Sequence, residues 1–137
     1  LREMRRVTRG KIVILTFDPS FRGFWLADYI PELVTLDEGQ MPRMAEYEQS
    51  LGPVGISPVP IPHDCTDGFL SAYWRRPAAY LDPKVRAAMS PFWAMGDVSE
   101  ALGRLEADLE SGAWEQRYSR LIDLDDCDCG YRLVTTT

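Results

Sequence analysis

The sequence has little of what builds disulfide frameworks and metal centres: 137 residues contain three cysteines and one histidine. An odd, low cysteine count in a chain of this size does not form a disulfide framework. There is no secretory signal and no apolar run long enough to cross a bilayer, so we expect a cytoplasmic protein. The net charge of −6 disfavours nucleic acid as a partner, and we expect no membrane partner either.

What the chain does have is an ordinary globular composition, 45% hydrophobic and 26% charged. This length fits a single domain over residues 1–137 and can bury a core. The segment Leu1–Val7 already has helical spacing and no cap residue precedes it, so we expect that an N-terminal part of the domain has been lost.

Three segments are predicted to be strands. Lys11–Phe17 is a continuous apolar run, which favours a strand buried on both faces in the middle of a parallel sheet. Val54–Pro60 contains prolines and predicts an edge strand, and Tyr131–Thr136 predicts a final strand. Five or six helices lie between them. Because three strands make a narrow sheet, we expect either a homodimer or packing against a missing N-terminal half.

The most prominent candidate site residues follow the first strand or lie in the loop after the second. Trp25, Tyr29 and Trp74 are candidates for the wall of a substrate site, because aromatic rings offer rigid apolar area and attract cations. Core packing is the alternative for all three. The other substrate-binding candidates are the aspartates Asp18, Asp64 and Asp67.

Two stretches resemble a known family. Arg5–Thr16 reads RRVTRGKIVILT and resembles the late helix and fifth strand of class I S-adenosylmethionine-dependent methyltransferases, specifically the small-molecule type called methyltransferase type 11. The second stretch, typical of one bacterial branch of that family, begins with VPIPHDCTDGF at Val59–Phe69 and continues with YWRRP and YLDP. The resemblance extends from Leu1 to Val134.

The resemblance implies an α/β fold: the C-terminal part of a doubly wound, Rossmann-like sheet, with a helical insertion before the last strand. It also implies S-adenosylmethionine as the cofactor of the parent enzyme. The family binds that cofactor with a Gly-rich turn after its first strand, which would lie upstream of Leu1. The ten glycines of this chain never form GxGxG, so we expect no cofactor for this chain alone.

Chemistry at His63 is open to two interpretations. A methyl acceptor often has to lose a proton, and histidine is the side chain that most readily exchanges protons near neutral pH, so His63 is a possible general base. A loop histidine that holds the turn is the alternative.

A zinc site is a rival hypothesis, in which His63 and Cys65 would combine with Cys127 and Cys129. The C-x-C spacing and the surrounding aspartates disfavour it.

The sequence therefore predicts the C-terminal, substrate-side portion of a methyltransferase that acts on a small molecule and is inactive alone. The alternatives are a non-catalytic interaction module with the same fold and a small zinc-stabilised domain.

Overall fold

The structure, a computed structural model, describes residues 1–137 and contains one small sheet packed with many short helices. Three strands form the sheet, and a two-residue pair lies apart from it: β1 (Val13–Phe17), β2 (Val54–Pro58), β3 (Ile61–Pro62), β4 (Asp126–Cys127) and β5 (Tyr131–Thr136). The α-helices are α1 (Arg2–Val7), α2 (Leu26–Tyr29), α3 (Glu32–Gln40), α4 (Met44–Leu51), α5 (Pro83–Ala87), α6 (Ser90–Ala94), α7 (Ser99–Ser111), α8 (Ala113–Arg117) and α9 (Ser119–Ile122). Two 3₁₀ helices cover Leu70–Tyr73 and Pro77–Leu81. None of the helices is long and apolar enough to cross a membrane.

The sheet has the order β1-β5-β2, and both of its strand pairs are antiparallel. The prediction that the Lys11–Phe17 segment forms a strand is confirmed, but its expected position inside a parallel sheet is wrong. β1 lies at the end of the sheet, and Val13 and Leu15 are 58% and 62% exposed. A continuous apolar run shows that a strand needs covering on both faces, but it does not show whether this chain supplies the cover.

The outer edge of β1 has unpaired backbone groups. The Asp18 amide donates to Gly130, and the Thr136 amide donates to the Ile12 carbonyl, so the even-numbered residues of β1 are the ones bonded to β5. Because bonding alternates along an antiparallel strand, the amides of Val13, Leu15 and Phe17 point away from the sheet.

One face of the sheet is covered by α4. Tyr47 and Leu51 of this helix pack on Ile12 and Val134 in a small buried cluster. The helix ends at Gly52, whose φ of 85° is available mainly to glycine.

The larger core lies among the helices, where sixteen buried residues form one cluster. Trp25 lies among five other rings of this cluster in mostly edge-to-face contacts, with a centroid distance of 5.1 Å to Trp114. The helices from α5 to α9 lie between β2 and β5 in sequence, as the predicted helical insertion requires. The doubly wound parallel sheet stays a prediction, because every strand pair of this chain is antiparallel.

Candidate functional site

A cavity of about 610 Å³ lies at the carboxyl end of β1. Its walls come from β1, from the end of α3, from Phe69–Ser71, from Ala88–Ala94 including α6, and from Tyr131 at the start of β5. The size is within the range of pockets that hold small molecules. Most of the lining is apolar or aromatic, and the largest side chains are Phe17, Leu36, Met41, Phe69, Met89, Trp93 and Tyr131.

Asp37 provides the single charged side chain in this lining. It lies on α3 one turn after the buried Leu33, so its carboxyl group is on the inward face of the helix. Burial raises the pKa of Asp37 to about 6, and the nearby Arg22 guanidinium opposes this increase. At neutral pH the cavity therefore holds a carboxylate that is mostly ionised and poorly solvated.

Tyr131 is the second titratable group of the cavity, and its phenol is also partly buried. Burial raises the pKa of Tyr131 to about 12, while a hydrogen bond with the side chain of Ser71 opposes the increase. Ser71 is 1% exposed, so its hydroxyl group is held in place and can orient the phenol. The phenol stays protonated at physiological pH and can donate or accept a hydrogen bond.

The aromatic residues predicted as a substrate wall do not line this cavity. Trp25, Tyr29 and Trp74 are 3%, 4% and 0% exposed and belong to the helical core. The Trp25 indole donates to the Trp74 carbonyl at 2.8 Å, and the Trp74 indole donates to the Ile61 carbonyl at 2.9 Å. The structure thus places them as the core-packing alternative describes, and they offer a ligand almost no surface.

His63 lies in the loop after β3, away from the lining of the cavity, and is held by Arg75. Its Nδ1 is 2.8 Å from Nη2 of Arg75, and its backbone amide donates to Asp125. Since a guanidinium group can only donate, Nδ1 accepts this bond and Nε2 carries the ring proton. The structure thus shows His63 in a contact with Arg75 outside the cavity, and its role as a general base stays a prediction.

The three aspartates predicted for substrate binding are spread over two places. Asp64 and Asp67 are exposed in the loop beside His63. Asp18 follows β1, but its carboxyl group accepts hydrogen bonds from the amide and hydroxyl groups of Ser20 and lies 3.9 Å from the guanidinium of Arg132. None of these aspartates lines the cavity, and their substrate roles stay predictions.

The cysteines do not assemble the proposed zinc site. Pairing of β3 with β4 brings the loop that carries Cys65 near the turn that carries Cys127, but no group of three or more potential ligands converges there. Cys129 is 1% exposed, and the pKa of its thiol is raised by a hydrogen bond to Cys127 and by burial. The same hydrogen bond lowers the pKa of Cys127.

Sequence reasoning missed the cavity and Asp37. The available signal was a carboxylate four residues after Leu33 and directly after Leu36, beside the apolar side chains of its helix. Charged residues in helices are normally exposed, so an acidic residue on the inward face deserved a functional hypothesis.

Comparison with known proteins gives one informative match. Neither protein-family models nor curated proteins match the chain. Among solved structures, the chain is similar to a protein from Anabaena variabilis ATCC 29413 described as "Putative methyltransferase from antibiotic biosynthesis pathway". The two share 39% sequence identity with a TM-score of 0.87.

The match covers 99% of this chain and 58% of the Anabaena protein, so the chain spans little more than half the length of the protein it resembles. The methyltransferase resemblance noted in the sequence is therefore supported by structure: this chain shares the fold of the matching part of a protein described as a putative methyltransferase.

Proposed function

We propose that the chain is the acceptor-binding portion of an S-adenosylmethionine-dependent methyltransferase that acts on a small molecule, and that the cavity at the end of β1 is the acceptor site. The observation that carries this proposal is the 39% identity with a methyltransferase-like protein over 99% of the chain. The cavity adds support through its volume and its largely apolar lining. The antibiotic pathway named for the Anabaena protein agrees with a small-molecule acceptor.

The residues present do not fit a site for the methyl donor. Nucleotide-like cofactors in α/β sheets lie against a Gly-rich turn between a strand and a helix, where the backbone can approach closely. In this chain β1 leads into Asp18-Pro19-Ser20, and the Asp18 side chain is held by Ser20 and Arg132. We therefore assign the donor to a part of the enzyme outside these residues.

Within the proposed enzyme, this chain binds and orients the acceptor. The apolar walls exclude water from it, while Asp37 and the phenol of Tyr131 supply the polar contacts that fix its orientation. Positioning accounts for much of the rate enhancement in a transfer between two bound molecules.

The test is a calorimetric titration with S-adenosylhomocysteine of two proteins: this chain, and a chimera in which it replaces the matching portion of the Anabaena protein. The unmodified Anabaena protein is the positive control. We expect the chimera to bind and the chain alone to give no heat of binding. Binding by the chain alone would show that it holds its own donor site. Failure of the chimera beside a binding control would contradict the proposal.

A further inference from the structure

The charge inside the cavity indicates which molecules it accepts. We propose that the cavity selects small, largely apolar molecules that carry a positively charged group, and that Asp37 is the residue that determines this selection. This inference rests on the proposed function and deepens it by naming a ligand class.

The first support is that Asp37 is not committed to a partner inside the protein. No side chain donates a hydrogen bond to its carboxyl group, whereas Asp18, Asp28, Asp82, Asp97, Asp108 and Asp128 each accept at least one. A half-buried carboxylate without donors gains more from a ligand cation than an exposed one, because water screens the attraction less.

The second support is that the nearest cation is already engaged. The guanidinium of Arg22 donates to the carbonyls of Pro19 and Phe21, at 2.7 and 3.0 Å, and pairs with the carboxylate of Glu38. Arg22 is not among the residues that line the cavity. It lowers the cost of the buried charge from a distance but does not neutralise it within the cavity.

The third support is the set of rings around the carboxylate. Phe17, Phe69, Trp93 and Tyr131 line the same cavity, and the faces of such rings attract cations. Trp93 is 72% exposed and lies at the outer side of the cavity on α6. A molecule with an apolar body and a cationic group would thus meet complementary surfaces throughout, whereas an anion would meet an uncompensated carboxylate.

The groups facing Asp37 define how its charge responds to pH. β1 and α6 contain no titratable residue. β5 contributes Tyr131, which stays neutral below about pH 10, and Arg132, which pairs with Asp18 and Asp128. α2 packs against α3 and carries Asp28 and Tyr29, whose side chains bond to Tyr118 and Asp108. Arg22 pairs with Glu38, and neither residue lines the cavity. Because Asp37 is the group that titrates near pH 6, lowering the pH below 6 removes the negative charge of the cavity.

The experiment measures binding of three matched probes to the full chain by ligand-observed NMR: 2-phenylethylamine, phenylacetate and the neutral indole. Both charged probes keep their charge between about pH 5 and pH 8. We expect the affinity for 2-phenylethylamine to rise about 10-fold from pH 5 to pH 8, as the ionised fraction of Asp37 rises. The affinity for phenylacetate is expected to fall over the same range, and indole should bind equally at both pH values.

Variants separate the outcomes. Asp37→Asn should abolish both pH dependences while indole still binds, and Glu32→Gln, which changes an exposed carboxylate at the start of the same helix, should leave both in place. If indole binds but the affinity of the unmodified chain for 2-phenylethylamine is the same at pH 5 and pH 8, the inference is overturned without any variant. If none of the three probes binds, the cavity is not the acceptor site, and the proposed function loses its site as well.

Discussion

At the scale of single residues, tryptophans of equal burial have different polar environments. Trp74 and Trp114 are 0% and 2% exposed, and both belong to the helical core. The indole N–H of Trp74 donates to the Ile61 carbonyl, whereas the indole N–H of Trp114 is buried without a partner. A buried polar group without a partner costs roughly 1–3 kcal/mol, so the two residues contribute differently to stability.

We predict that Trp74→Phe destabilises the chain by roughly 1–3 kcal/mol more than Trp114→Phe. Both substitutions remove the same atoms, but the first leaves the Ile61 carbonyl without its donor and the second removes a donor that has no acceptor. Urea unfolding followed by circular dichroism measures the difference. Equal losses of unfolding free energy in the two variants would show that the hydrogen bonds of the indoles do not decide the result.

At the scale of elements, two glycines show what each element requires of its backbone. Gly130 precedes β5 with a φ of 99°, and a Cβ atom there would lie 2.6 Å from the ring of Phe17 and 2.9 Å from that of Phe21. Gly103 lies in the exposed interior of α7, with nothing within 4 Å of the position of a Cβ. The first glycine permits the close approach of β5 to the Phe17 ring, and the second only weakens its helix.

We predict that alanine substitutions at these two glycines change the stability of the chain in opposite directions. Gly130→Ala should destabilise the chain by roughly 1–3 kcal/mol, because the φ angle and the Phe17 ring both resist a Cβ. Gly103→Ala should stabilise it by about 0.5–1 kcal/mol through helix propensity. Thermal unfolding of both variants beside the unmodified chain gives the two signs. A stabilising Gly130→Ala would contradict the packing of β5 described above.

At this scale the sequence predicted well where a local rule decides the structure. β5 was predicted with its observed bounds, because its β-branched residues form one contiguous run. The position of β1 in its sheet was predicted wrongly. Local apolarity determines that β1 needs covering, but the covering partner lies far away in sequence or in another molecule.

At the scale of the whole molecule, the methyltransferase fold could be predicted and the site could not. The fold could be predicted because motifs such as VPIPHDCTDGF are contiguous in sequence. The cavity is lined by segments from Leu15 to Tyr131, more than a hundred residues apart, so no local pattern reveals it. Conspicuous residues such as Trp25 and His63 attracted the hypotheses, although Trp25 is buried in the helical core and His63 lies outside the lining of the cavity.

The exposed edge of β1 bears on the homodimer that the sequence predicts, and this prediction is still untested. We expect this chain to form a homodimer that covers the unpaired amides of the β1 edge and the neighbouring exposed side chains of Val13 and Leu15. Val13→Lys should shift the mass measured by light scattering from dimer to monomer, and Val13 does not line the cavity. Val7→Lys is the matched control, since Val7 is similarly exposed, at 60%, but lies on α1. A monomeric mass for the unmodified chain would contradict the prediction.

The same edge also bears on aggregation. β1 reads VILTF, an uncharged segment of high β-propensity whose outward amides can template strand addition by any extended chain. Two charged residues, Lys11 and Asp18, lie just beyond its ends, where gatekeeper residues restrain such growth in other proteins. Lys11 is exposed, so neutralising it removes a charge before the strand without disturbing other contacts. Asp18 also binds Ser20 and lies near Arg132, so replacing it would disturb the turn after β1 as well. Lys11 is therefore the position at which the solubility of this pairing surface can be altered separately from the fold.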